Sequence, residues 1–176
     1  MIIELNGHAG VGKLTIGRLL AEALGARLID NHTLYDPAFA TTDFGSEAFF
    51  DTVRAVRAIA FERAAALPQA TAIILMIAPS QRRAWGEEWQ AAIRSLADAR
   101  RARLYGVHLS CADVERARRI AAPDRVRSRK LSDAAVVGDG MARPILLDHC
   151  DAVFDIDVTD RSADSAAAAI RRWVMV

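Results

Sequence analysis

Ile2-Ile3-Glu4-Leu5-Asn6-Gly7-His8-Ala9-Gly10-Val11-Gly12-Lys13-Leu14-Thr15-Ile16 decides how this chain is read. Ile2 to Leu5 is a short apolar run that turns at Asn6-Gly7, as a strand does. Beyond Lys13, the residues Leu14, Ile16, Leu19, Leu20 and Leu24 fall near one face at helical spacing, and Gly25 supplies the stop. Between strand and helix lies a glycine, four residues, then glycine and lysine. At such a junction the pattern is a phosphate cradle. Glycines let backbone amides converge on phosphate oxygens, the helix N-terminus adds positive potential, and the lysine reaches the β and γ phosphates. Gly7, His8, Ala9, Gly10, Val11, Gly12 and Lys13 are thus the candidate triphosphate site, with ATP as the expected cofactor.

The loop departs from the usual pattern at one place. A serine or threonine normally follows the lysine and gives Mg²⁺ its hydroxyl; here that residue is Leu14. Thr15 comes one place later, where a hydroxyl meets the α-phosphate. Mg²⁺ is therefore expected to be held by other groups.

Outward from the loop, strands and helices alternate. Ala26 to Ile29 reads as a strand ending at Asp30, and Asn31 to Gly45, with Pro37, Thr41, Thr42 and Asp43, reads as loop. Ser46 caps a long helix to about Leu67, with Phe49, Val53, Val56, Ile59 and Ala60 on its inner face. Thr71 to Ala78 is apolar throughout, as a strand buried on both faces of a parallel sheet must be. A helix to about Arg101 carries a core stripe of Trp85, Trp89, Ile93 and Leu96. Arg103 to Leu109 and Ala152 to Val158 are further strands, Asp113 opens a helix that Pro123 interrupts, and Ser162 caps a final helix to Trp173. The alternation predicts a single α/β domain over residues 1–176, a parallel sheet with helices on both faces.

Composition removes several classes. The chain has 176 residues, enough for one well-buried core, and 52% of them are hydrophobic, so it is not a disordered chain. Its apolar runs fall far short of the roughly 20 residues of a membrane span. No basic region, apolar segment and cleavage site open the sequence, so a signal peptide is not expected. Two cysteines make neither a disulfide framework nor a metal cluster, and a reduced cytoplasm is the expected location. Net charge is +1, which draws the chain to neither nucleic acid nor membrane. Arginine nevertheless crowds one segment, at Arg116, Arg118, Arg119, Arg125, Arg127 and Arg129, without the aromatic interleaving of a nucleic-acid surface. Lysine occurs only at Lys13 and Lys130. Nothing in the pattern specifies an oligomeric state.

With Gly12-Lys13-Leu14-Thr15 in the loop and Asn31-His32 after the second strand, the chain resembles the shikimate-kinase-like and nucleotide-kinase-like P-loop phosphotransferases. The resemblance implies a three-layer α/β/α P-loop fold, a five-stranded parallel sheet of order 2-3-1-4-5, an acceptor region at about 31–66 and a lid at about 120–133. It also implies site residues. Asp30 matches the first carboxylate of the Asp-x-Asp that ends the second strand in shikimate kinases, a position that binds Mg²⁺ through water. His32 stands at the acceptor-binding position, where an imidazole of near-neutral pKa can take the acceptor's proton, and Asp36 is a reserve base. The departure from Asp-x-Asp argues against shikimate as acceptor. Arg82 and Arg83, at the end of the third strand, are candidates to hold an anionic acceptor. Arg119 precedes an aliphatic residue, as does the arginine that stacks on adenine in these kinases, and Arg161 borders the same base. Arg125, with Arg127, Arg129 and Lys130 as alternates, is the candidate for the transferring phosphoryl group. The expected activity is phosphoryl transfer from ATP to a small molecule. A nucleotide-binding module without strong turnover and an antibiotic-modifying phosphotransferase are the alternatives.

Overall fold

The computed structural model describes residues 1–76, 83–121 and 147–176, the side chain of Arg83 excepted. In chain order it runs β1 (Ile2–Asn6), α1 (Lys13–Leu24), β2 (Arg27–Ile29), α2 (Asn31–Thr41), α3 (Glu47–Ala65), β3 (Ile73–Met76), α4 (Arg83–Ala99), β4 (Leu104–Ser110), α5 (Asp113–Ile120), β5 (Ala152–Asp157) and α6 (Ala163–Val174). The five strands form one sheet of order β2-β3-β1-β4-β5, and every pairing is parallel. All five strands therefore end on one edge, and β1 lies in the middle.

Strand periodicity sends alternate side chains to opposite faces. Ile3 and Leu5 join Ile74, Val107 and Leu109 beneath α1 and α6, where Ile16, Leu20, Ile170 and Val174 complete the layer. Ile2 joins Ile73, Leu75 and Leu104 on the other face, against Val53 and Phe61 of α3 and Trp89, Ile93 and Leu96 of α4. Each of these fully buried side chains stabilises the fold by roughly 1.5–3 kcal/mol relative to exposure. Ser46 caps α3 by accepting from Phe49 N, and Ser162 caps α6 by accepting from Ser165 N, as the sequence indicates.

The sequence misleads in two places. Residues 31–41 are helix, not loop. Asp30 caps this helix by accepting from Thr33 N at 2.9 Å and from Thr33 Oγ1 at 3.0 Å. Leu34 and Ala38, four apart, are fully buried, so packing overrides the break that Pro37 suggests. In α3 the inner face follows Phe49, Val53, Arg57, Phe61 and Ala64, and Ile59 is exposed.

One buried charge organises the turn into β3. Arg100 is 2% exposed, and its guanidinium donates to the carbonyls of Ala64, Leu67, Pro68 and Thr71 at 2.7, 3.0, 3.1 and 2.8 Å. Leu67 O and Thr71 O are thereby paired, while Ala64 O and Pro68 O, which accept from Leu67 N and Thr71 N, gain a second donor.

Candidate nucleotide site

The loop between β1 and α1 is held in shape from below. Gly7 has φ 149° and Gly10 has φ 93°, both in the region that favours glycine. A Cβ at Gly7 would lie 2.6 Å from Leu109 O, and one at Gly10 would lie 2.9 Å from Arg116 Cγ and from Ile120 Cγ1. The loop thus rests on the end of β4 and on α5, with no room for a side chain. Lys13 Nζ donates to Gly7 O and, at 3.0 Å, to His8 O, so its ammonium spans the loop. Gly12 is the N-cap of α1, and Ile16 N donates to its carbonyl at 3.0 Å.

The surroundings are electropositive. Burial pushes the His8 imidazole below its ordinary range, and the positive charges of Arg116, Lys13 and His108 act in the same direction, against Asp113. Arg116 is buried, packs against Gly10 through its stem, and has Nη1 3.7 Å from Asp113 Oδ1. His108 Nδ1 pairs with Asp155 Oδ1 at 2.9 Å on the neighbouring strand. A loop of this charge favours an anion.

Leu14 packs against the core of the α1 layer, whereas Thr15 is exposed. The residues fit a directly ligated Mg²⁺ poorly, because position 14 offers no oxygen and Asp30 Oδ1 is engaged in the α2 cap.

In the region expected to take the acceptor, His32 and Asp36 come together on α2, with Nδ1 to Oδ1 at 3.1 Å, and both are exposed to solvent in part. Beside them stand rings from three helices. Tyr35 stacks on Trp89 at 5.9 Å between centroids, Phe50 meets Trp85 edge-on at 4.9 Å, and Trp85 Nε1 donates to Tyr35 Oη at 3.0 Å. Burial raises the Tyr35 phenol. A cavity of about 180 Å³ opens here, lined by Phe50, Arg54, Ala84, Trp85 and Glu88. Sequence reading missed Arg54, Arg57 and Glu88. Glu88 accepts from Arg54 Nη2 at 2.9 Å and from Arg57, which draws its carboxyl below the usual range. Arg57 also lies over Trp89, 4.7 Å from the ring centroid. The available signal was a charge on the apolar inner stripe of α3.

Arg119 and Arg161 meet at the loop after β5. Arg119 donates to Val158 O at 2.8 Å and Thr159 O at 3.0 Å, and Glu115 accepts from its Nε at 2.7 Å. Hydrogen bonds from Arg118 and Arg119 pull the Glu115 carboxyl down to about 2. Arg161 is exposed, and both arginines act on Asp157, whose carboxyl is lowered chiefly by its bonds to Thr159. Arg82, Arg125 and the side chain of Arg83 lie outside the described residues, as does the expected lid apart from Ile120 and Ala121.

A second titratable cluster lies under the sheet. Glu4 Oε2, His149 Nε2 and Cys150 Sγ are all within 4.8 Å of one another. Burial, with Glu4 and Asp151 adding to it, pushes the Cys150 thiol up to about 12. Glu4 Oε2 is already paired with His149 Nε2 at 2.7 Å. Among the described residues, no helix is long and apolar enough to cross a membrane.

Neither a protein-family model nor a curated protein matches this sequence. Solved structures do. The chain is similar to shikimate kinase from Bacteroides thetaiotaomicron, with a TM-score of 0.63 at 16% identity over 100% of this chain and 99% of that one. It is similar to shikimate kinase from Acinetobacter baumannii, in complex with shikimate, with a TM-score of 0.56 at 21% identity over 99% and 92%. It is also similar to the APS kinase CysC of Mycobacterium tuberculosis, in complex with AMPPNP and APS, with a TM-score of 0.59 at 18% identity over 99% and 97%. The sheet order, the glycine loop after the central strand and these likenesses agree: the chain has the α/β fold of the P-loop small-molecule kinases.

Proposed function

We propose that this protein transfers the γ-phosphoryl group of ATP to a hydroxyl or phosphate of a small molecule. The observation that carries the reading is the loop of residues 7–13 at the end of the central strand, with Lys13 Nζ across it and Arg116 packed against Gly10. In this reading the loop amides and Lys13 bind the triphosphate, and Arg119 and Arg161 border the base. His32, oriented by Asp36, takes the acceptor's proton as the acceptor oxygen attacks the γ-phosphorus and the bond to ADP breaks. When bound, Mg²⁺ would neutralise charge on the phosphate oxygens, with Asp30 as its closest match among the acceptor-side carboxylates to the shikimate-kinase pattern. The aromatic cleft at Phe50 and Trp85 bounds the acceptor, and its Arg54–Glu88 pair favours a ligand with polar groups over a purely apolar one.

Incubation with γ-labelled ATP, Mg²⁺ and a panel of hydroxylated and phosphorylated metabolites tests this. Label is expected on at least one acceptor, with transfer abolished in Lys13→Ala and slowed about 10²–10⁴-fold in His32→Gln. Tight ATP binding without transfer to any acceptor would instead favour a nucleotide-binding module, a reading that the packing of Leu14 into the core supports.

A further inference from the structure

Glu4 is a carboxylate at the centre of the middle strand, 1% exposed, where a parallel sheet normally carries an aliphatic residue. A buried charge of this kind persists only when its oxygens are paired. Both are. Glu4 Oε1 accepts from Asn6 Nδ2 at 3.0 Å, and Glu4 Oε2 faces His149 Nε2 at 2.7 Å. Asn6 Oδ1 in turn accepts from Gly7 N at 2.8 Å, and Gly7 is the first residue of the phosphate loop. His149 reaches Glu4 because Gly106, the register partner of Glu4 on β4, has no side chain. A Cβ there would meet Cys150 Sγ at 2.9 Å and Leu147 Cβ at 3.2 Å.

The chemistry of this chain has a direction. A carboxylate only accepts hydrogen bonds, so the Asn6 amide must turn its NH₂ toward Glu4 and its oxygen toward Gly7. The first peptide of the loop is thereby held with its N–H turned to the Asn6 side chain. His149 donates its Nε2 proton to the second carboxylate oxygen, and buried His149 Nδ1 has no hydrogen-bond partner among the described residues.

We infer that Glu4, Asn6 and His149 are positioning residues for the phosphate loop: the buried carboxylate sets the sense of the Asn6 amide, and the amide sets the Gly7 peptide. The inference rests on the nucleotide site proposed above. Without the carboxylate the amide can turn over and set its NH₂ against the Gly7 N–H, which displaces the loop's first residue.

The test uses near-isosteric exchanges: Glu4→Gln, Asn6→Asp and the double variant Glu4→Gln/Asn6→Asp. In the double variant the new amide at position 4 donates to one oxygen of the new carboxylate at position 6 and accepts from His149. The other carboxylate oxygen at position 6 then accepts from Gly7 N. ATP affinity by calorimetry and hydrogen exchange at the Gly7 amide are read on all four proteins. Each single variant is expected to weaken ATP binding about tenfold and to speed Gly7 exchange at least as much. The double variant should recover both to within about threefold, which an effect on side-chain volume alone would not produce. A Glu4→Gln protein that binds ATP and protects Gly7 like the wild type overturns the inference. So does a double variant that fails to fold or recovers neither readout. If the wild type binds no ATP, the nucleotide reading falls, and Gly7 exchange in the four proteins still decides the relay.

Discussion

Gly10→Ala isolates how the phosphate loop is supported. At φ 93° an alanine is strained, by about 1–3 kcal/mol. Its Cβ would also stand 2.9 Å from Arg116 Cγ and from Ile120 Cγ1, and 3.1 Å from Arg116 O. Both side chains are buried, at 3% and 2% exposure, so neither can swing aside, and overpacking adds about 1–3 kcal/mol. The expected loss is about 2–6 kcal/mol, or it is relieved by the loop lifting from α5, which spreads the loop amides. Gly45→Ala is the matched control, since Gly45 has φ 79° but nothing within 4 Å of its added Cβ. Urea unfolding of the two variants, each with and without saturating ATP, separates strain from crowding. Gly10→Ala should lose more stability than Gly45→Ala and gain less from ATP, through an affinity weakened at least about tenfold. Equal midpoints for the two variants, with wild-type ATP affinity in Gly10→Ala, would refute the seating of the loop on α5.

Two other expectations follow from buried groups. Arg100→Met removes the guanidinium donor of Leu67 O and Thr71 O and one of two donors to Ala64 O and Pro68 O, and should cost about 3–5 kcal/mol in urea midpoints without changing ATP affinity; a loss under about 1 kcal/mol would show that water replaces the guanidinium. His8 is neutral in the fold to lower pH than in the unfolded chain, so the unfolded state binds the proton first, and stability should fall as pH drops below the ordinary histidine value of 6.5. Bound phosphate reverses the field on His8, so ATP binding near pH 6 should take up a proton. Calorimetry in buffers of different ionisation heat detects this, and His8→Asn should abolish both effects.

The strands and most helices were open to reading because apolar spacing maps directly onto burial. Ile2 to Leu5 read as an interior strand, the run from Thr71 to Ala78 contained the observed Ile73–Met76, and Ser46 and Ser162 announced their helices. α2 was hidden by Pro37 and by polar neighbours, although Asp30 three places before Thr33, and Leu34 four before Ala38, carried its signature. The glycine loop between β1 and α1 was legible because its pattern lies in seven consecutive residues. The pairing of Glu4 with His149 was not, for they are 145 positions apart and only the close approach permitted by Gly106 joins them. Arg57 failed for a related reason: its place on the inner face of α3 makes sense only once Glu88 and the rings of α4 are set against it.

The distribution of tryptophan gives the molecule its own optical gauge. Trp85 lines the cleft and Trp89 packs edge-on against it in the core, with the guanidinium of Arg54 5.1 Å from the first ring and that of Arg57 4.7 Å from the second, while Trp173 stacks on Phe154 at the far end of the sheet. Trp173→Phe leaves emission from Trp85 in the cleft and Trp89 behind it. An acceptor that rearranges the Arg54–Glu88 pair changes the charge above those indoles, so its arrival registers as a spectral shift in unlabelled protein.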